Sequence, residues 1–171
     1  MNYYSSYIIC GIDRLGKDTL IKKMLNKLGF YQVINFGKPE KLSKYGQDEY
    51  TFQRESFENS MVLLKSDAKL IYNRSWIGEA VYAGPYRGYE GNYVFELEKQ
   101  FGMDKCSHVK LILLVEDFTK SQHFVSDGQS FDDNSRELEQ ALFYDAFFKS
   151  ILPNKKIVCV TDQDGKFRNS E

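Results

Sequence analysis

Apolar residues along this chain follow two patterns, short unbroken runs and longer stretches with helical spacing. The run Tyr7-Ile8-Ile9-Cys10 is short and continuous, as in a strand, and residues 109–115 are apolar nearly throughout, the signature of a parallel strand that is covered on both faces. From Lys17 to Leu28, apolar residues recur at helical spacing and mostly lysines lie opposite them. Gly29 follows, at a position where helices favour glycine. The beginning of the chain therefore predicts a strand, a turn and an amphipathic helix.

The same two patterns continue to the last strand. They predict strands at 7–10, 31–36, 68–72, 109–115 and 157–160, and helices at 17–28, 48–64, 93–101 and 135–151, with a short helix that ends near residue 82. Residues 83–91 are predicted to form a loop and the polar residues 117–134 a lid. Strands that alternate with helices predict an α/β fold of three layers, with a parallel five-stranded sheet flanked by helices. Because no repeat or linker divides the chain, 1–171 is predicted to be one domain.

Charge and composition argue against several classes of partner. The formal net charge is -1 and the charged residues are mixed along the chain, so neither nucleic acid nor an anionic membrane is an expected partner. No apolar run is long enough to span a bilayer, and the first residues lack a secretory signal, which predicts a cytoplasmic protein. The 3 cysteines lack CxxC spacing and the 2 histidines are isolated, which argues against a zinc site.

The segment GIDRLGKDT, residues 11–19, joins the first predicted strand to the first predicted helix. This is the context in which a glycine-rich segment is credible as a phosphate-binding loop. Glycines let the backbone curl with its N–H groups inward, and the helix start adds further N–H groups and the positive end of the dipole. Lys17 supplies a mobile charge for the β- and γ-phosphates. The predicted nucleotide site consists of Gly11, Asp13, Arg14, Leu15, Gly16, Lys17, Asp18 and Thr19.

This loop resembles the phosphate loop of thymidylate kinases, in which Asp-Arg lies inside the glycine-rich segment. NRSWIGEAVY at 73–82 resembles the second motif of that family, and GPYRGY at 84–89 is similar to a segment of small phage-encoded nucleotide kinases. The resemblance implies a P-loop nucleotide kinase of the phage deoxynucleoside monophosphate type, which uses ATP and Mg²⁺ in the host cytoplasm. It also implies a small-molecule nucleotide or nucleoside acceptor and a homodimer.

The resemblance also implies roles for individual residues. Lys17 and the loop amides would hold the ATP phosphates, and Arg14 would reach the transferring phosphoryl group. Lys17 and Arg14 are therefore the predicted catalytic residues. Asp13 would contact the 3′-hydroxyl of the acceptor sugar, and Arg74 would hold the acceptor monophosphate. Tyr82 would pack against the 2′ position and favour deoxyribose.

Further acceptor-binding candidates lie outside these two motifs. Arg54 and Phe57 share a predicted helix on which related kinases recognise the base with an arginine and a stacked ring. Arg87 and Lys38 are additional candidates. The predicted lid contains no arginine, which favours Arg14 as the catalytic cation.

Two residues near the predicted metal site depart from the family pattern. Asp18 stands where phosphate-loop enzymes carry the Ser or Thr that binds magnesium, and Asn73 stands where the family has Asp. One carboxylate is lost at position 73 and one is gained at position 18. Our hypothesis is that Asp18 compensates for Asn73 and supplies the anionic oxygen for Mg²⁺.

Several other functions remain open at the level of the sequence. A deoxynucleoside kinase would phosphorylate a 5′-hydroxyl and would need a carboxylate base at the end of the third strand, where this chain has Asn73. A modified pyrimidine, free or in DNA, is another acceptor to consider. Beyond these kinases, the alternatives are a module that binds nucleotide without turnover and a protein that binds only other proteins.

Overall fold

A computed structural model describes residues 4–37, 48–119 and 135–162 of the 171-residue chain. The strands are β1 (Ser6–Cys10), β2 (Gln32–Asn35), β3 (Leu70–Asn73), β4 (Val109–Val115) and β5 (Asn154–Cys159). The helices are α1 (Lys17–Leu28), α2 (Glu49–Leu64), α3 (Trp76–Arg87), α4 (Tyr93–Gln100) and α5 (Arg136–Lys149), with a 3-10 turn at Met103–Lys105. Within the described ranges, none of these helices is both long and apolar enough to cross a bilayer.

The five strands form one parallel sheet in the order β2-β3-β1-β4-β5. Every residue of β1 is buried, and β1 pairs with β3 on one side and β4 on the other. The predicted parallel five-stranded α/β fold is therefore confirmed. Because β1 and β3 are neighbours, the residues that follow these two strands lie side by side, and Arg74 N–H donates to the carbonyl of Ile9 at 2.9 Å. Ligands of such sheets bind at this carboxyl edge.

The predicted loop at 83–91 is wrong, because α3 continues to Arg87. Pro85 lies inside this helix, where its missing N–H removes one helical hydrogen bond. Packing offsets that loss, since Ala83 is fully buried and the ring of Tyr82 lies edge-on against Phe143 of α5, 5.7 Å between centroids. Gly88, in the left-handed conformation, ends the helix. Of the predicted lid, residues 120–134 lie outside the described part of the chain.

The buried carboxylate of Glu98 joins three helices. It accepts hydrogen bonds from the indole Nε1–H of Trp76 at 2.8 Å, the hydroxyl of Ser150 at 2.7 Å and the backbone N–H of Ile151 at 2.8 Å. These donors belong to the start of α3 and to the end of α5, while Glu98 lies on α4. Burial raises the pKa of this carboxyl above its usual value even though the three donors oppose the shift. The contact fixes the ends of α3 and α5 relative to α4.

Candidate functional site

The loop between β1 and α1 is tightly curled and lies close to β4. Gly11 has φ 139°, and a Cβ atom there would come within 2.6 Å of the carbonyl oxygen of Leu114, so only glycine fits. Arg14 has φ 65°, a left-handed conformation that residues with side chains seldom adopt. Gly16, also left-handed, precedes the first turn of α1. The backbone conformation of this loop is thus unusual at three of its positions.

Lys17 lies inside the curled loop. It is 6% exposed, and its ammonium donates to the carbonyl of Gly11 at 3.0 Å and to that of Ile12 at 2.6 Å. Burial, and after it the positive charge of Arg74, lowers the pKa of Lys17 from its usual 10.5 to about 8. Negative charge brought close to this ammonium, such as a phosphate group, would favour its protonated form.

A cavity of about 500 Å³ opens in front of this loop, and we call it the loop cavity. It is lined by Asp13, Arg14, Gly16, Lys17, Asp18, Thr19, Asn35, Phe36, Gly37, Asn73 and Arg74. Most of the predicted nucleotide-binding residues are therefore brought together here. Leu15 is not among them, because its side chain is 2% exposed and belongs to the core. Gly11 lines a second, neighbouring cavity instead.

Asp18, Asn73 and Asn35 form a polar cluster at the ends of β2 and β3, which we call the strand-end cluster. The side-chain N–H₂ of Asn73 donates to the carboxylate of Asp18 at 2.7 Å and to the amide oxygen of Asn35 at 2.9 Å. The Asn73 amide oxygen is buried and has no hydrogen-bond partner within the described ranges. No group of three or more acidic, histidine or cysteine side chains that could hold a metal ion occurs in those ranges. A cation here would therefore rely on one carboxylate, amide oxygens and ligands from outside the chain.

The second cavity, of about 300 Å³, adjoins the first, and we call it the aromatic cavity. It is lined by Cys10, Gly11, Asp13, Phe36, Gly37, Glu49, Gln53, Phe57, Arg74, Ser75, Gly78, Glu79, Tyr82, Tyr86, Arg87, Ser135, Arg136, Glu139 and Phe143. Asp13, Phe36, Gly37 and Arg74 line both cavities and form their shared wall.

Aromatic rings from different elements line this second cavity. Phe36 follows β2 and lies 6.0 Å from Phe57 of α2, centroid to centroid. Tyr82 of α3 contacts Phe143 of α5 and lies 5.8 Å from Tyr86. Rings of this kind, with a few polar groups between them, suit a planar ligand such as a nucleobase. The predicted acceptor residues Phe57 and Tyr82 both belong to this lining.

Charged groups meet at the shared wall. The guanidinium of Arg74 donates to the carboxylate of Asp13 at 2.6 Å, and Arg74 has φ 69°, the same left-handed conformation as Arg14. Arg136, the first residue of α5, donates to the backbone carbonyl of Asp13 at 3.1 Å. It also forms a buried ion pair with Glu116 at 2.8 Å. Arg136 was not predicted as a site residue, because it lies just beyond the predicted lid and no motif contains it.

A carboxylate network closes the other end of the aromatic cavity. The side chain of Glu79 is fully buried and accepts from Arg87, from the hydroxyl of Tyr89 at 2.6 Å and from that of Tyr93 at 2.9 Å. Arg87 also pairs with Glu49 at 3.2 Å. The predicted acceptor residue Arg87 thus lines the cavity, but its guanidinium is held between two carboxylates.

Two predicted acceptor residues are not part of this arrangement. Arg54 donates to Glu58 at 3.0 Å and to the hydroxyl of Tyr50 at 3.1 Å, and it does not line the aromatic cavity. Helical geometry explains why Arg54 does not line the cavity. Gln53 and Phe57 are one turn apart on the face of α2 that lines it, whereas Arg54, the residue after Gln53, lies on a different face. Lys38 lies outside the described residues.

The chain matches no family model and no curated protein. Among solved structures it is similar to the YorR protein of Bacillus subtilis, determined in complex with phosphorylated GDP, with a TM-score of 0.64 and 19% identity over 90% of this chain and 85% of that chain. It is also similar to the thymidylate kinase of Candida albicans, with a TM-score of 0.49 and 18% identity over 91% and 83% of the two chains. The similarity to the YorR protein shows that the two chains share a fold, the predicted α/β fold with a parallel five-stranded sheet flanked by helices.

Proposed function

We propose that this protein is an ATP- and Mg²⁺-dependent kinase that transfers the γ-phosphoryl group to a deoxynucleoside monophosphate. The observation that carries the proposal is the wall shared by the loop cavity and the aromatic cavity, where Asp13 and Arg74 form an ion pair. A triphosphate in the first cavity and a nucleoside monophosphate in the second would meet at that wall. Phosphoryl transfer depends mainly on such alignment and on charge neutralisation.

The residues of the two cavities have separate roles in this reaction. Lys17 and the loop N–H groups hold the ATP phosphates, and Arg14 reaches the transferring group. Arg74 holds the acceptor phosphate, for which its planar guanidinium fork is suited. An oxygen of the acceptor phosphate bonds to the γ-phosphorus, the bond to the bridging oxygen breaks, and ADP leaves with the electron pair. Asp13 contacts the sugar 3′-hydroxyl, and Tyr82 packs against the 2′ carbon.

The strand-end cluster suits a hydrated Mg²⁺ ion. In our proposal Asp18 would hold the ion, and the amide oxygen of Asn73, which has no partner in the described chain, would be available to its hydration shell. When bound, the ion neutralises charge on the β- and γ-phosphates. Mg²⁺ at a nucleotide site keeps several waters and needs only one or two carboxylates, so a single Asp18 is sufficient.

A hydroxyl acceptor is the second candidate, and Glu139 is the observation that favours it. Its side chain lines the aromatic cavity, and burial, followed by the nearby charge of Asp13, raises the pKa of its carboxyl above the usual value. A carboxylate in that position could take the proton of a 5′-hydroxyl, which a monophosphate acceptor does not require.

An ATP-consumption screen across the four deoxynucleosides and their monophosphates tests both candidates. We expect turnover with at least one monophosphate, and a loss of about 10²- to 10³-fold in Arg74→Met, because a charged contact to the acceptor phosphate is removed. Lys17→Met should abolish the thermal stabilisation that ATP and Mg²⁺ give the wild type. Lys22→Met, a matched change on the exposed face of α1, should leave both measurements unchanged.

Three results would contradict the proposal. Turnover confined to nucleosides would favour the hydroxyl acceptor, and ATP binding without any product would favour a module that only binds nucleotide. Absence of ATP-induced stabilisation would argue against a nucleotide site altogether.

A further inference from the structure

Gln53 is a buried polar side chain without a partner in the described chain. It is 7% exposed and lines the aromatic cavity, yet its carboxamide makes no hydrogen bond to any described residue. A buried amide that lacks a partner lowers stability, so such groups are normally paired with protein, water or ligand. The polar atoms of Gln53 are not among the fully buried unpaired side-chain atoms of the described chain, so they reach the cavity, where a bound ligand can pair with them.

The position of Gln53 on α2 connects it with a ring. Glu49, Gln53 and Phe57 are one helical turn apart and line the cavity from the same face. Phe57 is 3% exposed and lies between the helix and Phe36. The edge of a planar group that lies near Phe57 would be within reach of the Gln53 side chain, one helical turn away. This is the arrangement expected for an aromatic ring whose polar edge is recognised.

The charges along the cavity set the orientation of an acceptor. Arg74, at the shared wall, is 44% exposed and has donors for an anion. At the opposite end the guanidinium of Arg87 is 14% exposed and held between Glu79 and Glu49. A phosphate group is therefore favoured at the wall, and an uncharged group is favoured at the end formed by α2 and the carboxylates.

The network around Glu79 is rigid and its hydrogen bonds are already made. Both carboxylate oxygens have donors, and the two tyrosine hydroxyls that donate to Glu79 are used in doing so. The backbone at Gly91 lies against α3 so closely that a Cβ atom would overlap the Glu79 carbonyl oxygen. The network forms part of the cavity lining, and Gln53 lines the same cavity with hydrogen bonds still to make.

We propose that Gln53 recognises the acceptor base, by a pair of hydrogen bonds between its carboxamide and an adjacent donor and acceptor on the Watson–Crick edge of that base. The proposal rests on the proposed function and names its specificity-determining residue. It assigns base recognition to Gln53 and not to its neighbour Arg54, whose guanidinium is engaged by Glu58 and Tyr50. A carboxamide can rotate to present its oxygen and N–H₂ in either order, so each base must be tested.

The test compares a change in the protein with a change in the ligand. For the best monophosphate acceptor, kcat/KM and Kd are measured with the natural base and with the base N-methylated at N3 (pyrimidine) or N1 (purine), which blocks the central edge position. In the wild type, methylation should lower kcat/KM and affinity by about tenfold to a hundredfold, because the methyl group blocks the base edge and leaves the Gln53 carboxamide unpaired. Gln53→Met should lower kcat/KM and affinity for the natural acceptor by a similar factor. In this variant, methylation of the base should lower both by less than about threefold further. ATP affinity should not change.

Gln100→Met, the same substitution at an exposed glutamine of α4, is the matched control and should behave as the wild type. If Gln53→Met does not fold, Gln53→Glu has the same shape, lacks the N–H₂ donor and should also lose discrimination. An active enzyme in which Gln53→Met keeps the full methylation penalty would overturn the role of Gln53 and leave the proposed function intact. A wild type that takes no monophosphate would instead overturn the proposed function, and the base recognition with it.

Discussion

Arg14 and Arg74 both adopt a backbone conformation that costs side-chain-bearing residues about 1–2 kcal/mol. Arg14 lies in the curled loop that follows β1, and Arg74 lies directly after the neighbouring strand β3. The hydrogen bond from Arg74 N–H to Ile9 helps to hold the second of them in place. Both arginines line the loop cavity, and backbone strain of this kind is concentrated at functional sites in proteins, which is consistent with the proposed function.

At the residue scale, the lowered pKa of Lys17 predicts how nucleotide binding depends on pH. Bound phosphates favour the charged lysine, so binding should take up protons near pH 8 and weaken by up to about tenfold per pH unit above it. Without nucleotide, the stability of the fold depends on pH in the opposite direction, because it increases as pH rises. The buried charge lowers stability below about pH 8, and that cost disappears as pH rises from about 8 towards 10.5.

Isothermal titration of ATP from pH 7 to 10, in buffers of different ionisation enthalpy, measures this proton uptake. Lys17→Arg is the control, because its guanidinium stays charged throughout this range. Its ATP affinity should be nearly independent of pH, even if weaker. A wild type whose affinity is equally flat would show that Lys17 is fully charged in the free protein.

The second prediction at this scale concerns Asp18 and Asn73. Asp18→Ser should weaken Mn²⁺ binding to the protein–ATP complex about tenfold, as measured by electron paramagnetic resonance, because a carboxylate is lost. Adding Asn73→Asp should restore most of the affinity by returning a carboxylate to the cluster. Asp67→Ser, at an exposed turn, is the control. Unchanged Mn²⁺ affinity in Asp18→Ser would remove Asp18 from the metal site.

At this scale the sequence identified residues that line the loop cavity where they lie in a motif, and it did not identify residues whose position depends on packing alone. The loop residues could be found because glycine spacing dictates backbone curvature. Arg54 and Gln53 are adjacent, and which of them faces the cavity depends on the rotation of α2, which one sequence does not fix to within a residue. Arg136 and its partner Glu116 are 20 positions apart, so their contact could not be seen before the chain was folded.

At the element scale, Glu98 predicts how the helices depend on one another. Glu98→Ala should lower the free energy of unfolding by about 2–4 kcal/mol, because it leaves two buried donors and one partly buried donor, on α3 and after α5, unpaired. Urea denaturation measures the change. Glu96→Ala on the same helix removes only an exposed pair with Lys99 and should cost less than about 0.5 kcal/mol. Equal effects of the two substitutions would contradict a structural role for the buried carboxylate.

Most element boundaries followed from periodicity, and the main error shows its limit. Residues 83–91 contain Gly84, Pro85 and Gly88, which locally predict a loop, yet α3 extends to Arg87. The local preference was overridden by burial of Ala83 and by contact with α5, two interactions that come from residues distant in sequence. Strand β5 begins three residues earlier than predicted, since Asn154 and two lysines pair with β4 at an edge where polar side chains remain partly exposed.

At the scale of the whole molecule, the alternation of strands and helices was enough to predict a parallel sheet of this class. The order of the strands was not predicted, and it is the order that creates the site. With β1 between β3 and β4, the curled loop lies beside Asn73 and Arg74, and both cavities open at one edge of the sheet.

The shared wall has a consequence for inhibition. Because Asp13, Phe36, Gly37 and Arg74 border both cavities, two nucleosides joined by a phosphate chain could occupy them at the same time. Once one end of such a compound is bound, the other is present at a high effective concentration, so the two affinities combine. For the proposed kinase, discrimination against other ATP-binding proteins would then come from the part of the compound in the aromatic cavity, since the curled loop would bind phosphates mainly through backbone groups that many such proteins share.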